Sequence, residues 1–286
     1  MEVNSIQNYH KHTCCSNIYT PDSPATYERA VELGHKILCS LEHGWQGKYH
    51  ECREIAIKYG LKFIFGTEAY WVKDRHEKDR TNCHIVLLAK NENGREWINE
   101  VLSTANEDGY YYRPRLDEEL LFSLPPDDVF VTSACVAFWH YEPEYVEQLV
   151  CKLHDYFKDN FMLEIQAHNT DKQKQLNARI LELSKKYSIQ MIVGLDSHYI
   201  YPEQAVERDE LLAASGTHYD DEDGWYMDYP DDDTIRRRFA KQGVIPADEV
   251  EKAMRNTDLI CDFEDYKSEV FETNRKLPSI YPDKTP

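Results

Sequence analysis

No apolar run in the 286 residues approaches the roughly 20 needed to cross a bilayer, and the first residues lack the basic-then-apolar layout of a signal peptide. A cytoplasmic location without membrane association is therefore expected. Basic residues are scarce: 33 Lys and Arg stand against 52 Asp and Glu, for a formal net charge of −19. A protein that coats nucleic acid along its phosphates needs basic surface, so that class is excluded. An enzyme whose bound cations offset local carboxylates and attract a phosphate is not. The eight cysteines, at 14, 15, 39, 52, 83, 135, 151 and 261, include no C-x-x-C pair. They read as reduced, mostly buried thiols, with at least one free to serve a metal. A glycine-rich strand-to-helix phosphate loop is also missing, which weakens the case for an open doubly wound sheet. No internal repeat or low-complexity tract stands out.

What is present is alternation. Seven short apolar, β-rich runs lie at 6–12, 36–41, 61–65, 84–89, 128–133, 161–165 and 190–195. Helix-like segments at 24–33, 49–59, 92–105, 144–157 and 172–187 fall between most of them. Strand alternating with helix predicts a parallel sheet with helical crossovers. Seven such strands predict an α/β fold of the closed barrel type, a distorted (β/α)7 barrel over residues 1–215, one strand short of the usual eight. Residues 216–286 change character: an acidic, aromatic loop (DDEDGWYMDYPDDD), helical segments at 234–242 and 247–260, and a proline-rich tail. The acidic runs read as solvated faces.

Chemistry gathers where these runs end. The first carries His10 and His12, which alternate onto one face. The second runs into Glu42-His43-Gly44, the third into Gly66-Thr67-Glu68, the fifth into Ser133-Ala134-Cys135, and the seventh into Asp196-Ser197-His198. The sixth holds Glu164 with His168 just beyond, and the fourth opens on His84. His84 at a strand start is out of step with the others and implies a shifted boundary or a loop residue reaching in. A lone His-x-His is more often a hydrogen-bonded core or surface feature than a ligand pair. Imidazoles, carboxylates and a thiol converging from every strand are different in kind, since desolvating them together is costly without a cation.

These pieces resemble the PHP (polymerase and histidinol phosphatase) family, most closely the N-terminal PHP domain of bacterial and phage-type DNA polymerase III alpha subunits. The carrying motifs, in order, are HKH, LEHG, GTEAYW, CHIVLLAKNENG, GYYYRPRLDEELL, TSAC, LEIQAH and LDSHY, spanning residues 5 to about 215. The resemblance implies up to three divalent metals, Zn2+, Mn2+ or Fe2+, and nine ligands. His10, His12, Glu68 and Asp196 would hold the first; Glu68 would bridge to a second completed by His84 and Cys135; His43, His198 and a carboxylate after the first strand would hold a third. That last position departs from the family pattern. The loop reads TCCSNIYTPDS, its nearest carboxylate is Asp22, and Cys14 or Asn17 stand as alternatives. Glu42 is expected behind the ligands. The tail resembles the connector toward a polymerase palm, and no palm follows in this chain, so nucleotide addition by it alone is not expected.

The implied activity is a metal-dependent phosphoesterase, a 3′–5′ exonuclease of proofreading type on single-stranded or primer-template DNA ends, working with a palm-containing polymerase chain. Glu68, Asp196, His198 and His168 would be the catalytic residues. Arg113 and Arg115 would hold substrate phosphate, since a guanidinium takes two phosphate oxygens at once. Tyr110, Tyr111 and Tyr112, chiefly the last two, either stack a terminal base or simply pack on the barrel rim. Two other classes stay open: a catalytically silent, metal-stabilised scaffold of a polymerase, and a small-molecule phosphatase of the histidinol phosphatase type.

Overall fold

The computed structural model describes residues 6–13, 24–47, 49–214, 216 and 224–265. Asp22, Cys14 and Asn17, the candidates for the third-site ligand, lie outside the described residues. In chain order the elements are α1 (Pro24–Glu32), β1 (Ile37–Ser40), α2 (Tyr49–Lys58), β2 (Lys62–Trp71), β3 (Cys83–Ala89), α3 (Glu92–Glu107), β4 (Tyr110–Tyr111), β5 (Arg113–Leu116), α4 (Glu118–Leu121), β6 (Val129–Thr132), α5 (Pro143–Phe157), β7 (Phe161–Ile165), α6 (Asp171–Tyr187), β8 (Met191–Val193), α7 (Ala205–Ala214), α8 (Asp232–Gln242) and α9 (Ala247–Asn256).

Local chemistry starts the main helices. The side chains of Asn91, Thr170 and Asp231 accept hydrogen bonds from the backbone N–H groups of Gly94, Gln173 and Thr234, at the first turns of α3, α6 and α8. The strands read as near-continuous apolar runs because helices cover the sheet; every residue from Ile85 to Ala89 is buried.

The sheet is not wholly parallel. β1 and β2 pair in parallel through α2, and β6, β7 and β8 pair in parallel through α5 and α6. Between the two halves β3 runs antiparallel to both β2 and β6, which corrects the all-parallel expectation. The link from β2 to β3, residues 72–82, contains no helix and is too short for a crossover, so the chain turns back on itself. A small hairpin, β4 against β5, hangs on the end of β2 and was not foreseen; its two strands are two and four residues long.

Residues 6–13 join the ends of the curled sheet. Leu41 N–H donates to Lys11 O (2.8 Å), His12 N–H to Ser197 O (3.0 Å) and Ser197 N–H to His10 O (3.1 Å). The segment makes only an isolated bridge, Lys11 with Ser197, where a full strand was expected over 6–12. α8 and α9 pack over β7 and β8: Ile235, Phe239, Val250 and Met254 share one apolar core with Leu163, Ile165 and Val193. Asn256 Nδ2 donates to Met191 O (2.7 Å), and Gln242 Nε2 donates to His168 O (2.7 Å). No helix among the described residues is long and apolar enough to cross a membrane.

Candidate metal centre

Glu68 is the hub. It lies within β2, fully buried, with two imidazoles against each carboxylate oxygen. His84 Nδ1 (3.1 Å) and His10 Nε2 (3.5 Å) face Oε1; His43 Nδ1 (2.9 Å) and His12 Nε2 (3.3 Å) face Oε2. Asp196 forms the second hub: its Oδ1 lies 3.0 Å from His12 Nε2, 3.2 Å from His198 Nε2 and 3.6 Å from His10 Nε2. The fold explains the convergence. The closing segment brings in His10 and His12, the end of β1 delivers His43, and the end of β8 delivers Asp196 and His198. His84 opens β3, and because β3 is antiparallel its start pairs with the end of β2, Tyr70 opposite His84. That removes the apparent misfit of His84 in the sequence.

Among the described residues, two sets of side chains could each hold one metal ion: His10, His12, Glu68 and Asp196, and separately His43, Glu68 and His84, with Glu68 common to both. The first coincides with the expected first ligand set. In the second, His43 stands where Cys135 was expected alongside Glu68 and His84; Cys135 Sγ lies 3.4 Å from His84 Nδ1. His198 stacks on His12 with ring centroids 4.5 Å apart, as does His43. Two donors bound to one tetrahedral ion at ~2.1 Å sit ~3.4 Å apart, the spacing seen around Glu68 and Asp196. Three atoms that face the centre, His10 Nε2, His43 Nδ1 and Glu68 Oε2, are buried without a hydrogen-bond partner. Buried polar atoms seldom go unpaired, and a divalent cation satisfies these together. A mixed nitrogen and oxygen set with a thiol nearby suits Zn2+, Mn2+ or Fe2+ better than Mg2+ or Ca2+.

Electrostatics treat the donors differently: burial opposes a charge on His12, but Asp196 and Glu68 take it up to about 9, so it offers a lone pair only once a cation displaces its proton. Burial opposes the Glu68 charge, but the His84, His43 and His10 imidazoles outweigh it and hold the carboxyl well below the usual range. Asp196 is likewise held down, against burial, by His10 and His198. Burial and then the neighbouring Glu68 and Asp196 charges push the Cys135 thiol well up, so it becomes a thiolate donor only beside a cation. Burial takes His43 down to about 4 and His198 down to about 3, leaving neutral rings able to offer a lone pair. Strain marks two of the positions: Asp196 has φ +48° and Ala134, next to Cys135, has φ +45°, in the left-handed region that costs a non-glycine residue energy.

Other expected residues fall differently. Glu42 stands behind the ligands, taking hydrogen bonds from Ser40 Oγ (2.8 Å) and Thr13 Oγ1. His168 is buried with both nitrogens committed: the Tyr226 N–H donates to Nδ1 (3.0 Å) and Nε2 lies 3.1 Å from Gln166 Oε1. It pins the 224–229 segment and is not a free acid or base, contrary to expectation. Arg115 is also buried, and its guanidinium donates to the carbonyls of Gly109, Glu77, Asp79 and Arg75 at 2.6–2.9 Å. It is a strut of the 72–82 loop, with four of its five N–H groups spent on those carbonyls. Arg113 is exposed, its guanidinium 5.5 Å from the centroid of Tyr70, whose ring abuts His84 (5.2 Å) and His43 (5.9 Å). Tyr112 is exposed at the turn between β4 and β5, with Tyr111 edge-on to it and the Arg80 guanidinium 4.2 Å from its ring. Tyr70 and Arg80 were missed beside the centre, and Glu164, singled out in the sixth run, was given no role. A carboxylate inside the apolar strand FMLEI was the available signal for Glu164.

The sequence pattern of the PHP domain family matches residues 8–168. A DNA polymerase III subunit alpha of Aquifex aeolicus is 31% identical over 203 residues, 65% of this chain and 17% of that protein. A DNA-directed DNA polymerase of Bacillus phage SPbeta is 27% identical over 310 aligned positions, 91% of this chain and 23% of that protein. The chain thus spans under a quarter of the length of these curated relatives. Among solved structures, histidinol phosphate phosphatase from Lactococcus lactis, complexed with Zn, L-histidinol and phosphate, is 13% identical with a TM-score of 0.34, over 74% of this chain and 94% of that one.

Proposed function

Because the chain belongs to the PHP domain family, we propose that it is a metal-dependent phosphoesterase, and specifically a 3′–5′ exonuclease acting on DNA ends beside a palm-containing polymerase chain or region. The observation that carries the reading is Glu68, one buried carboxylate shared by two candidate ion sites, with imidazoles of His10, His12, His43 and His84 gathered 2.9–3.5 Å from its two oxygens. We read residues 6–13 as the seventh stave of a distorted barrel, and residues 216–286 as an acidic loop and connector toward a palm.

His10, His12, Glu68 and Asp196 would hold one divalent ion, and Glu68 with His43, His84 and Cys135 a second; His198 adjoins both Asp196 and His12. Bound there, Zn2+, Mn2+ or Fe2+ supplies Lewis acidity to phosphate oxygens and acidifies water. The remaining steps belong to the chain. Asp196 and His198 orient the nucleophile and return a proton to the departing sugar oxygen. Arg113, without a carboxylate partner among the described residues, takes a non-bridging phosphate oxygen. Tyr111 and Tyr112 offer ring faces to the terminal bases, which are read by stacking and not by sequence.

The test is a gel assay on 3′- and 5′-labelled single-stranded and primer-template DNA. Metal-stripped protein is resupplied with Mn2+, Zn2+ or Mg2+ and run beside a His10→Ala, Glu68→Ala double variant. Stepwise shortening from the 3′ end, absent in the variant, is expected. Stoichiometric metal binding with no shortening would replace this reading with a polymerase scaffold; turnover of a small phosphomonoester but not of DNA would replace it with a small-molecule phosphatase.

A further inference from the structure

Glu164 faces the metal centre without belonging to its donor sets. It projects from β7 and is almost completely buried. Its Oε2 accepts from Tyr9 Oη (2.7 Å) and Thr132 Oγ1 (2.8 Å), and its Oε1 accepts from Gln166 Nε2 (2.9 Å) and lies 2.7 Å from His10 Nδ1. An ionised carboxylate is acceptor-only, with about four lone-pair sites, and here all four are taken. Space has been cleared for it as well. A Cβ at residue 194 would fall 1.9 Å from Glu164 Oε1, so only glycine fits at that point of the β8 exit.

The polarity of this chain of bonds can be worked out from one fixed end. The Tyr226 backbone N–H can only donate, so His168 Nδ1 accepts and His168 carries its proton on Nε2. His168 Nε2 then donates to Gln166 Oε1, which turns the Gln166 amide nitrogen toward Glu164. Glu164 therefore accepts from Gln166, and its bond to His10 is satisfied only by a proton on His10 Nδ1. His10 Nε2, the nitrogen left for a metal once the proton sits on Nδ1, faces Glu68 and Asp196 at 3.5 and 3.6 Å and is among the buried atoms without a hydrogen-bond partner.

We infer that Glu164 is the positioning residue of the centre: as a carboxylate, oriented by the Tyr226–His168–Gln166 relay, it holds the proton of His10 on Nδ1 and presents Nε2 to the metal. The inference rests on the metal-site reading and is independent of which phosphoester is cleaved. It also gives His168 a task that both of its committed nitrogens can perform. Glutamine at 164 would set an amide NH2 against hydroxyl and amide donors and would no longer demand a proton on His10 Nδ1.

Two measurements test it on the full chain. In Zn2+-loaded wild type, long-range 1H–15N correlation of the histidine rings should show His10 protonated at Nδ1 and metal-bound at Nε2. In Glu164→Gln, competition with a chromophoric chelator should show Zn2+ held ~10–100-fold more weakly, the usual effect of removing a partner behind a ligand. Tyr9→Phe, which deletes one donor and leaves the carboxylate, should stay within about threefold of wild type, since the His10 bond is intact. A folded Glu164→Gln that keeps its affinity, an equal loss in Tyr9→Phe, or His10 ligating through Nδ1 would each overturn the inference. The wild-type spectrum decides alone if Glu164→Gln does not fold. A wild type that takes up no Zn2+ overturns the metal reading and this inference together, whereas a metal-bound protein without nuclease activity overturns only the exonuclease reading.

Discussion

Two buried polar clusters lie close together along β2 and its continuation, and they are built to opposite rules. Around Arg75 and Arg115 donors and acceptors are matched. Arg75 Nη1 reaches both oxygens of Asp117 (2.7 and 2.9 Å) and Glu119 (2.9 Å), its Nε reaches Asp108 (3.3 Å), and Arg115 is shared among four carbonyls. None of the Arg75, Arg115 or Asp117 side-chain polar atoms is buried without a hydrogen-bond partner. Around Glu68 and Asp196 the side chains have been brought just as close, yet five of their buried atoms go unpaired. The first cluster is complete as it stands and holds a loop. The second is complete only with something added. Buried charge alone therefore does not mark a functional site in this molecule; several imidazoles crowded onto shared carboxylates, with bonding capacity left over, do.

The comparison breaks most sharply under a pair of substitutions. Glu68→Gln should abolish turnover and remove the rise in thermal midpoint that Zn2+ gives the wild type. Without metal it should also cost some stability, since the imidazoles lose their counter-charge, but less than Arg115→Met does. Arg115→Met should do the reverse, costing about 3 kcal/mol in urea unfolding by stranding buried carbonyls, while the folded fraction binds Zn2+ normally. If Glu68→Gln proves the more destabilising of the two without metal, the contrast fails.

Acid sharpens it with a third kind of buried polar residue. Burial, then the nearby Arg29 charge, takes His35 down to about 4, and its Nδ1 lies 2.7 Å from Tyr229 Oη. The folded pKa is below the ordinary 6.5, so the unfolded chain takes the proton first. His35 contributes its full stabilisation above pH ~6.5 and loses it between about 6.5 and 4, up to about 3 kcal/mol. Urea midpoints across that interval should fall less steeply in His35→Gln. The smallest effect belongs to the solvated ion network on α8. Arg236 touches Glu251 (2.6 Å) and Asp233 (3.2 Å), but it is half open to water, and Arg236→Ala should cost at most about 1 kcal/mol, less in high salt. A larger loss would mean that exposure protects a charge pair less than assumed.

Most of the architecture was legible from period and spacing, because strands buried on both faces and helices with capped starts leave strong local signals. The convergence of His10, His12, His43, Glu68, Asp196 and His198 was legible because most follow apolar runs whose ends a curled sheet gathers; Glu68 instead lies inside β2, which runs longer than the sequence suggested. The direction of β3 was not read, although the helix-free 72–82 stretch after β2 could have told of a turn back. Arg115 and His168 were misjudged for a different reason. A motif names a residue type, whereas the carbonyls around Arg115 and the Tyr226 N–H beside His168 come from segments brought in by the fold, and those bonds decide whether a group is available.

The closing segment has a consequence for how the protein comes into being. His12 meets Asp196, 184 positions further along the chain. At ~5–20 residues per second, a ribosome takes roughly 10–40 s to supply the second after the first. Throughout that interval the earliest-made ligands have no Asp196 or His198 to meet, and the sheet has no β8 for residues 6–13 to seal against. The candidate metal centre is therefore among the last things the nascent polypeptide can complete, and a chain cut short before residue 198 carries most of the fold's helices and strands but none of its finished centre.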